Sequence, residues 1–135
     1  MKDTALLVID MQNGFLNERS PLYIDGAAAT VPTCAKMIAF CREQNVPVFF
    51  VTRVYAADGS DVEHTRYEAW SKGGKPLSPN CIRTTCYDAI SLDYAVTVLS
   101  DCTSSKTPEI QESNLRDMAN VGAVIASSKE IIEES

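Results

Sequence analysis

With 135 residues the chain is long enough for one packed domain and too short for two of ordinary size. Its 45% hydrophobic and 22% charged content is that of a globular protein. A net charge of −6, with Lys and Arg scattered along the chain, argues against a nucleic-acid or anionic-membrane surface. The five cysteines form no C-x-x-C pair and His64 is the single histidine, so no zinc site of the usual spacing can be built. Reduced thiols in a cytoplasmic protein are expected. Met1-Lys2-Asp3 does not open a secretory leader, and no apolar run approaches the ~20 residues of a membrane span.

Thr4-Ala5-Leu6-Leu7-Val8-Ile9 is a continuous apolar run, the signature of a strand buried on both faces of a parallel sheet. It leads into Asp10-Met11-Gln12-Asn13-Gly14-Phe15. An acid at the C-terminal end of a strand lies where open α/β sheets place their ligand crevice; a carboxylate that merely caps a turn is the alternative. Residues 17–29 are polar or small and read as a surface loop. Thr30-Val31-Pro32 then opens a helix with Thr30 as N-cap. Val31, Cys34, Ala35, Ile38 and Cys41 mark its buried face, which assigns Cys34 and Cys41 to core packing. The helix gives way near Asn45, and residues 47–53 form a second buried strand, completing a right-handed crossover unit.

From Val54 to Asn80 the sequence has neither helical nor strand periodicity. Asp58, Asp61, Glu63, His64 and Arg66 lie in this stretch, and its length is unusual for a loop inside a compact domain. Pro79-Asn80-Cys81 then breaks into a helix, with Asn80 as N-cap and Ile82, Cys86 and Ala89 on one apolar face. Cys81 falls at the first helical position, against unpaired N–H groups and the positive end of the helix dipole. Such a place stabilises a thiolate and can receive an oxyanion. An ordinary buried cysteine at a helix start remains open on these residues alone. Residues 95–100 form a third buried strand ending in the polar loop Asp101-Cys102-Thr103-Ser104-Ser105. Thr107-Pro108 opens a helix with Ile110, Leu115 and Met118 on its apolar face and Gly122 as C′ residue. Residues 123–126 form a last short strand, and Ser128 to Glu134 a terminal helical turn or two. The expected fold is α/β, with a mostly parallel sheet in one domain over residues 1–135.

Asp10-Met11-Gln12-Asn13-Gly14-Phe15 resembles the D-x-Q-x-x-F motif of the isochorismatase-like cysteine hydrolases. Cys81, Ile82, Thr85, Asp88 and Ala89 are similar to that family's nucleophile motif, and Tyr94, the strand to Leu99, and Asp101 follow in the family's order. The resemblance covers residues 4–53 and about 79–130. It implies a Rossmann-like, mostly parallel sheet with helices on both faces. It also implies a hydrolase of C–N bonds in a small amide, ureido or carbamoyl compound. In that chemistry a thiolate attacks the carbonyl carbon while a carboxylate moves the proton. Carried over residue by residue, Cys81 is the nucleophile and Asp10 the acid and base. Gln12 and Phe15 become pocket walls, and Arg53 and Asn80 contact substrate.

The chain departs from the family pattern in one block. The family's third strand with its catalytic lysine, a further helix and a fourth strand would precede the cysteine turn, but here Lys75-Pro76-Leu77-Ser78 runs straight into Pro79. Lys72 and Lys75 lack a strand-end context, so neither is assigned as that lysine. The fourth strand lies beside the first in such sheets, so its loss implies a gap of about 10 Å with open edges on both sides. The metal-binding pattern of some members is absent after residue 53, which implies no metal and no cofactor. A homo-oligomer is expected from the exposed edges. The alternative to an active hydrolase is a shortened, non-catalytic binding or assembly subunit.

Overall fold

The computed structural model describes residues 3–20, 23–71 and 81–134. The strands and helices are β1 (Leu6–Ile9), α1 (Asn13–Leu16), α2 (Ala27–Glu43), β2 (Val48–Val51), α3 (Tyr67–Ser71), α4 (Cys81–Ser91), β3 (Thr97–Leu99), α5 (Pro108–Asn120), β4 (Val124–Ala126) and α6 (Ser128–Glu133). The architecture is α/β with parallel strand pairing, as expected. The sheet, however, is in two pieces. β1 pairs with β2, Leu6 opposite Val48 through Ile9 opposite Val51, and β3 pairs with β4, Thr97 opposite Val124 through Leu99 opposite Ala126. Among the described residues no ladder joins β1 to β3. The split falls where the block missing between β2 and α4 would have supplied a strand.

Two apolar clusters replace a single sheet-centred core. In the first, Cys86 of α4, Val98 of β3, Met118 of α5 and Ala123 pack together with Ile82, Ile90, Val96, Leu115 and Ile125 around them. In the second, Met37 and Cys41 of α2 and Val46 pack against Leu6 and Val48 on one side. Leu99, Cys102 and Ile131 complete that cluster from the other half-sheet. α2 therefore bridges both halves through side chains.

The helix ends follow the expected chemistry at the C-terminal side of the chain. Thr107 accepts a hydrogen bond from the Ile110 N–H, Pro108 occupies the first turn, and Gly122 follows the helix at φ 109°. Ser127 and Glu130 form a reciprocal capping box on α6. Asp101 adds to that terminus: its carboxylate accepts from the Ser128 N–H at 2.9 Å and the Ser128 hydroxyl at 2.6 Å. Burial opposes ionisation of Asp101, but the Ser128 bonds prevail and hold its carboxyl below the ordinary value.

Several expectations need correction. α2 begins at Ala27, three residues before Thr30, because Gly26 at φ 79° makes the turn into it. Thr30 is inside the helix and donates to the Ala27 carbonyl instead of capping. The buried stripe runs through Ala27, Met37 and Cys41, while Val31 and Ala35 face solvent. Residues 54–71 are not wholly irregular: a 3-10 turn over His64–Arg66 leads into α3. Finally, β1 and β2 are not buried on both faces. Phe49 is 56% and Phe50 58% exposed, with Leu7 and Val51 also open. A continuous apolar run signals two covered faces only where a full sheet and its crossover helices supply the cover.

Two substitutions separate these environments. Met118→Ala should cost about 2–5 kcal/mol of unfolding free energy in urea, as a cavity in a closed cluster does. Phe49→Ser should cost less than about 1 kcal/mol, because the ring is already largely in water. Asp101→Ala should cost about 0.5–1 kcal/mol near neutral pH, the modest figure reflecting solvent screening. A depressed carboxyl stabilises the fold above its unfolded pKa and ceases to do so as pH falls through its folded value. The gap between wild type and Asp101→Ala should therefore be full above about pH 5 and narrow as pH falls below about 4 in the same assay.

Candidate active site

Asp10 ends β1. Its N–H donates to the Val51 carbonyl at 2.8 Å, extending the parallel ladder by one step, and its own carbonyl accepts from the Gln12 N–H at 2.8 Å. Between these bonds the backbone turns left-handed, with φ 56° at Asp10. Aspartate tolerates this region better than most side chains, at a cost of about 1–2 kcal/mol. The strand is thereby stopped and the acid placed at its C-terminal end.

Cys81 is the first residue of α4 and is half-buried. Its carbonyl accepts from the Thr85 hydroxyl at 2.8 Å. α4 is fixed below this point by Cys86 in the core and by the ion pair of Arg83 with Asp117 of α5 at 3.0 Å. The motif's Thr85 thus serves the helix itself, while Cys86 anchors it.

Asp10 and Cys81 line two clefts in common. The first, about 390 Å³, lies between the two half-sheets. Ile9, Met11, Phe15 and Ile82 give it apolar walls, and Cys102 to Lys106 with Gln111 and Asn114 form its polar end. The second, about 430 Å³, opens on the other side and is lined by Thr52 to Tyr55, Asp61, Glu63, Thr84 and Thr85. Both volumes suit a small-molecule ligand.

The remaining sequence-predicted residues divide between these clefts. Phe15 lines the first and Arg53 the second, whereas Gln12, at the N-terminus of α1, is among the lining residues of neither. Asn80, Lys72 and Lys75 lie outside the described residues. Arg53 is held by a small network. Its Nη1 donates to the Tyr55 hydroxyl and to Glu63 Oε1, each at 2.7 Å, and Tyr55 donates to Glu63 Oε2 at 2.8 Å. Arg66 joins the same carboxylate at 3.1 Å. The Glu63 backbone N–H, then Tyr55 and Arg53, bring the Glu63 carboxyl down to about 2. Tyr55 foremost, and Glu63 with it, raise the Arg53 guanidinium above its ordinary value.

The residues sequence reasoning missed are the hydrogen-bonded side chains at the polar end of the first cleft. Gln111 donates to the Thr103 hydroxyl at 2.6 Å and accepts from Ser105 at 2.9 Å, while Asn114 donates to Ser105 at 3.2 Å. The i, i+3 spacing of Gln111 and Asn114 on a helix face was the available signal. Among the described residues no group of three or more His, Cys, Asp or Glu side chains is placed to hold a metal.

A family model for the isochorismatase domain matches residues 4–80 and 77–130. The chain belongs to the isochorismatase family. The match comes in two pieces that overlap at residues 77–80. An Arabidopsis thaliana protein described as a probable inactive nicotinamidase is 30% identical over 189 aligned residues, covering 98% of this chain and 96% of that one. Those 189 positions exceed the 135 residues present, so the alignment spans a block this family member lacks. An isochorismatase family protein from Desulfovibrio vulgaris is similar in structure, with TM-score 0.87, 30% identity and 96% of each chain covered. N-carbamoylsarcosine amidase from Thermoplasma acidophilum shares the fold, with TM-score 0.66, 20% identity and coverage of 93% and 96%.

Gly59 offers a probe of the second cleft's surroundings. It sits at φ 72°, and a Cβ there would clash with the ring of Trp70, the chain's single tryptophan. Gly59→Ala should displace the ring from this packing and red-shift the protein's tryptophan emission, with Thr107→Ala as a control that leaves the spectrum unchanged.

Proposed function

We propose that this protein is a metal-free hydrolase of C–N bonds in small amide, ureido or carbamoyl compounds, with Cys81 as nucleophile and Asp10 as proton carrier. The observation that carries the reading is that these two residues, from different half-sheets, line the same clefts at a strand end and a helix start. Family membership supports hydrolase chemistry. Asp10 accepts the Cys81 thiol proton as sulfur adds to the carbonyl carbon, and returns it to the departing amine or ammonia. The N–H groups at the start of α4 stabilise the oxyanion. Water, deprotonated by Asp10, then releases the acid product and restores the thiol. Phe15 forms an apolar wall of the first cleft, and Arg53 contributes substrate contacts from the second.

Ammonia release from a panel of N-carbamoyl amino acids and small primary amides tests this directly. Wild type should turn over at least one class, Asp10→Asn should lose about 10²–10⁴-fold, and Cys81→Ala should fall to background. Turnover that survives Cys81→Ala removes the nucleophile assignment.

A second reading is favoured by the open apolar face of Leu7, Phe49 and Val51 and by the unpaired strand edges. In it the shortened chain is a non-catalytic subunit of a homo-oligomer or a larger assembly, a reading to which the probable inactivity attributed to the Arabidopsis relative lends support. No turnover, together with a mass by light scattering above that of one chain, selects this reading.

A further inference from the structure

We propose that Cys34 and Cys102 form an oxidation-sensitive dithiol that a hydroperoxide closes to a disulfide, stapling the two half-sheets together. Cys34 lies on α2, within the β1–α2–β2 unit, and Cys102 ends the turn that follows β3. The pair is 68 residues apart in sequence, yet the Cys34 thiol donates to the Cys102 carbonyl at 3.5 Å. Neither thiol is in a disulfide. Both are half-buried, and Cys102 lines the first cleft, so a small oxidant entering there arrives beside Cys34. A thiol that already reaches the backbone of the other cysteine can be brought to S–S bonding distance by side-chain rotation.

The electrostatics of the pair bear on the order of events. The hydrogen bond from Cys102, with a smaller one to Thr30, brings the Cys34 thiol down to about 7 against the opposing effect of burial. The same contact, then burial and the nearby Asp101, pushes the Cys102 thiol up. These directions support Cys34 as the thiol that reacts first and Cys102 as the resolving thiol. By contrast Cys41 and Cys86 are buried, with thiols raised by burial, and have the character of inert core residues.

In the first step the Cys34 thiolate attacks one peroxide oxygen: an S–O bond forms, the O–O bond breaks, and the departing hydroxide takes a proton to leave as water. Cys102 then attacks the sulfenic sulfur. The S–S bond forms, the S–O bond breaks, and the second oxygen leaves as water with the Cys102 proton. Two thiols are oxidised by two electrons while one peroxide is reduced to two waters. Closing so long a loop across a junction held only by side chains stabilises the folded state strongly.

The experiment treats the fully reduced full-length protein with hydrogen peroxide, alkylates the remaining thiols, and maps the products. Trypsin separates Cys34 from Cys41 at Lys36, and an aspartate-directed protease separates Cys86 from Cys102 at Asp88 and Asp93. The expected product is a Cys34–Cys102 cross-linked peptide, with Cys41 and Cys86 still alkylated. The oxidised protein should melt about 5–15 °C higher, and dithiothreitol should reverse the shift. Cys102→Ser should leave a Cys34 sulfenic acid that dimedone traps, whereas Cys34→Ser should abolish both products. A cross-link between other cysteines, a Cys34 that stays reduced while Cys81 oxidises, or an unchanged melting temperature in the oxidised protein overturns the proposal. The wild-type peptide map decides it even where a variant fails to fold.

Discussion

The structure depends on α2 acting as a bridge. In an intact parallel sheet each strand is tied to its neighbours by a ladder of backbone hydrogen bonds, and helices merely cover the faces. Here the described residues show no ladder between β1 and β3. Met37 and Cys41 instead present one apolar stripe to Leu6 and Val48 on one side and to Leu99, Cys102 and Ile131 on the other. Side-chain burial thus sets the relation between two half-sheets that hydrogen bonds would otherwise fix. The first cluster, around Cys86 and Met118, stabilises the C-terminal half without contributing to that junction.

This arrangement shapes the candidate site. Asp10 is positioned by the β1–β2 ladder and its own left-handed turn; Cys81 is positioned by α4, which belongs to the other half. Each is well held locally. Their mutual geometry passes through the α2 bridge, a longer and softer path than adjacent strands would provide. It also leaves space on both sides of the pair, which is why two clefts meet there. Leu7 on β1 and Phe49 on β2 are likewise open, at 49% and 56% exposure.

Much of this was legible in the sequence where the signal is local. The Thr107-Pro108 start and Gly122 stop of α5 depend on backbone donors and φ values within a few residues, and both are found as the sequence indicates. Cys81 at a helix start is legible on the same grounds, and the gap in the sheet was implied by the family resemblance, whose fourth strand has no counterpart before the cysteine turn. The misses lie where the tertiary context decides. Val31 and Ala35 fit a helical stripe, but the stripe through Ala27, Met37 and Cys41 wins because it can face both half-sheets at once. Cys34 read as core because its spacing matched; its partner 68 residues away could not be seen from periodicity. The exposure of Phe49 and Phe50 was invisible for a related reason: hydrophobic patterning records what a strand was suited to bury, not whether the covering elements are present.

Family membership and catalytic competence therefore separate in this chain. Membership is carried by elements that survive: the β1 end with its acid, the α4 start with its cysteine, and the crossover units on either side. Competence requires the acid and the nucleophile to stand within a few tenths of an ångström of a productive arrangement, since misplacement by about 1 Å can cost 10²-fold in rate. A hydrogen-bond ladder enforces such precision by repeating one geometry along the strand, whereas packed side chains can settle into alternative rotamers at small cost. The junction that sets the Asp10–Cys81 relation is the one where Cys34 of α2 meets Cys102. Rigidity at that contact is what the missing strand would have supplied, and any bond formed across it acts on the geometry of both clefts at once.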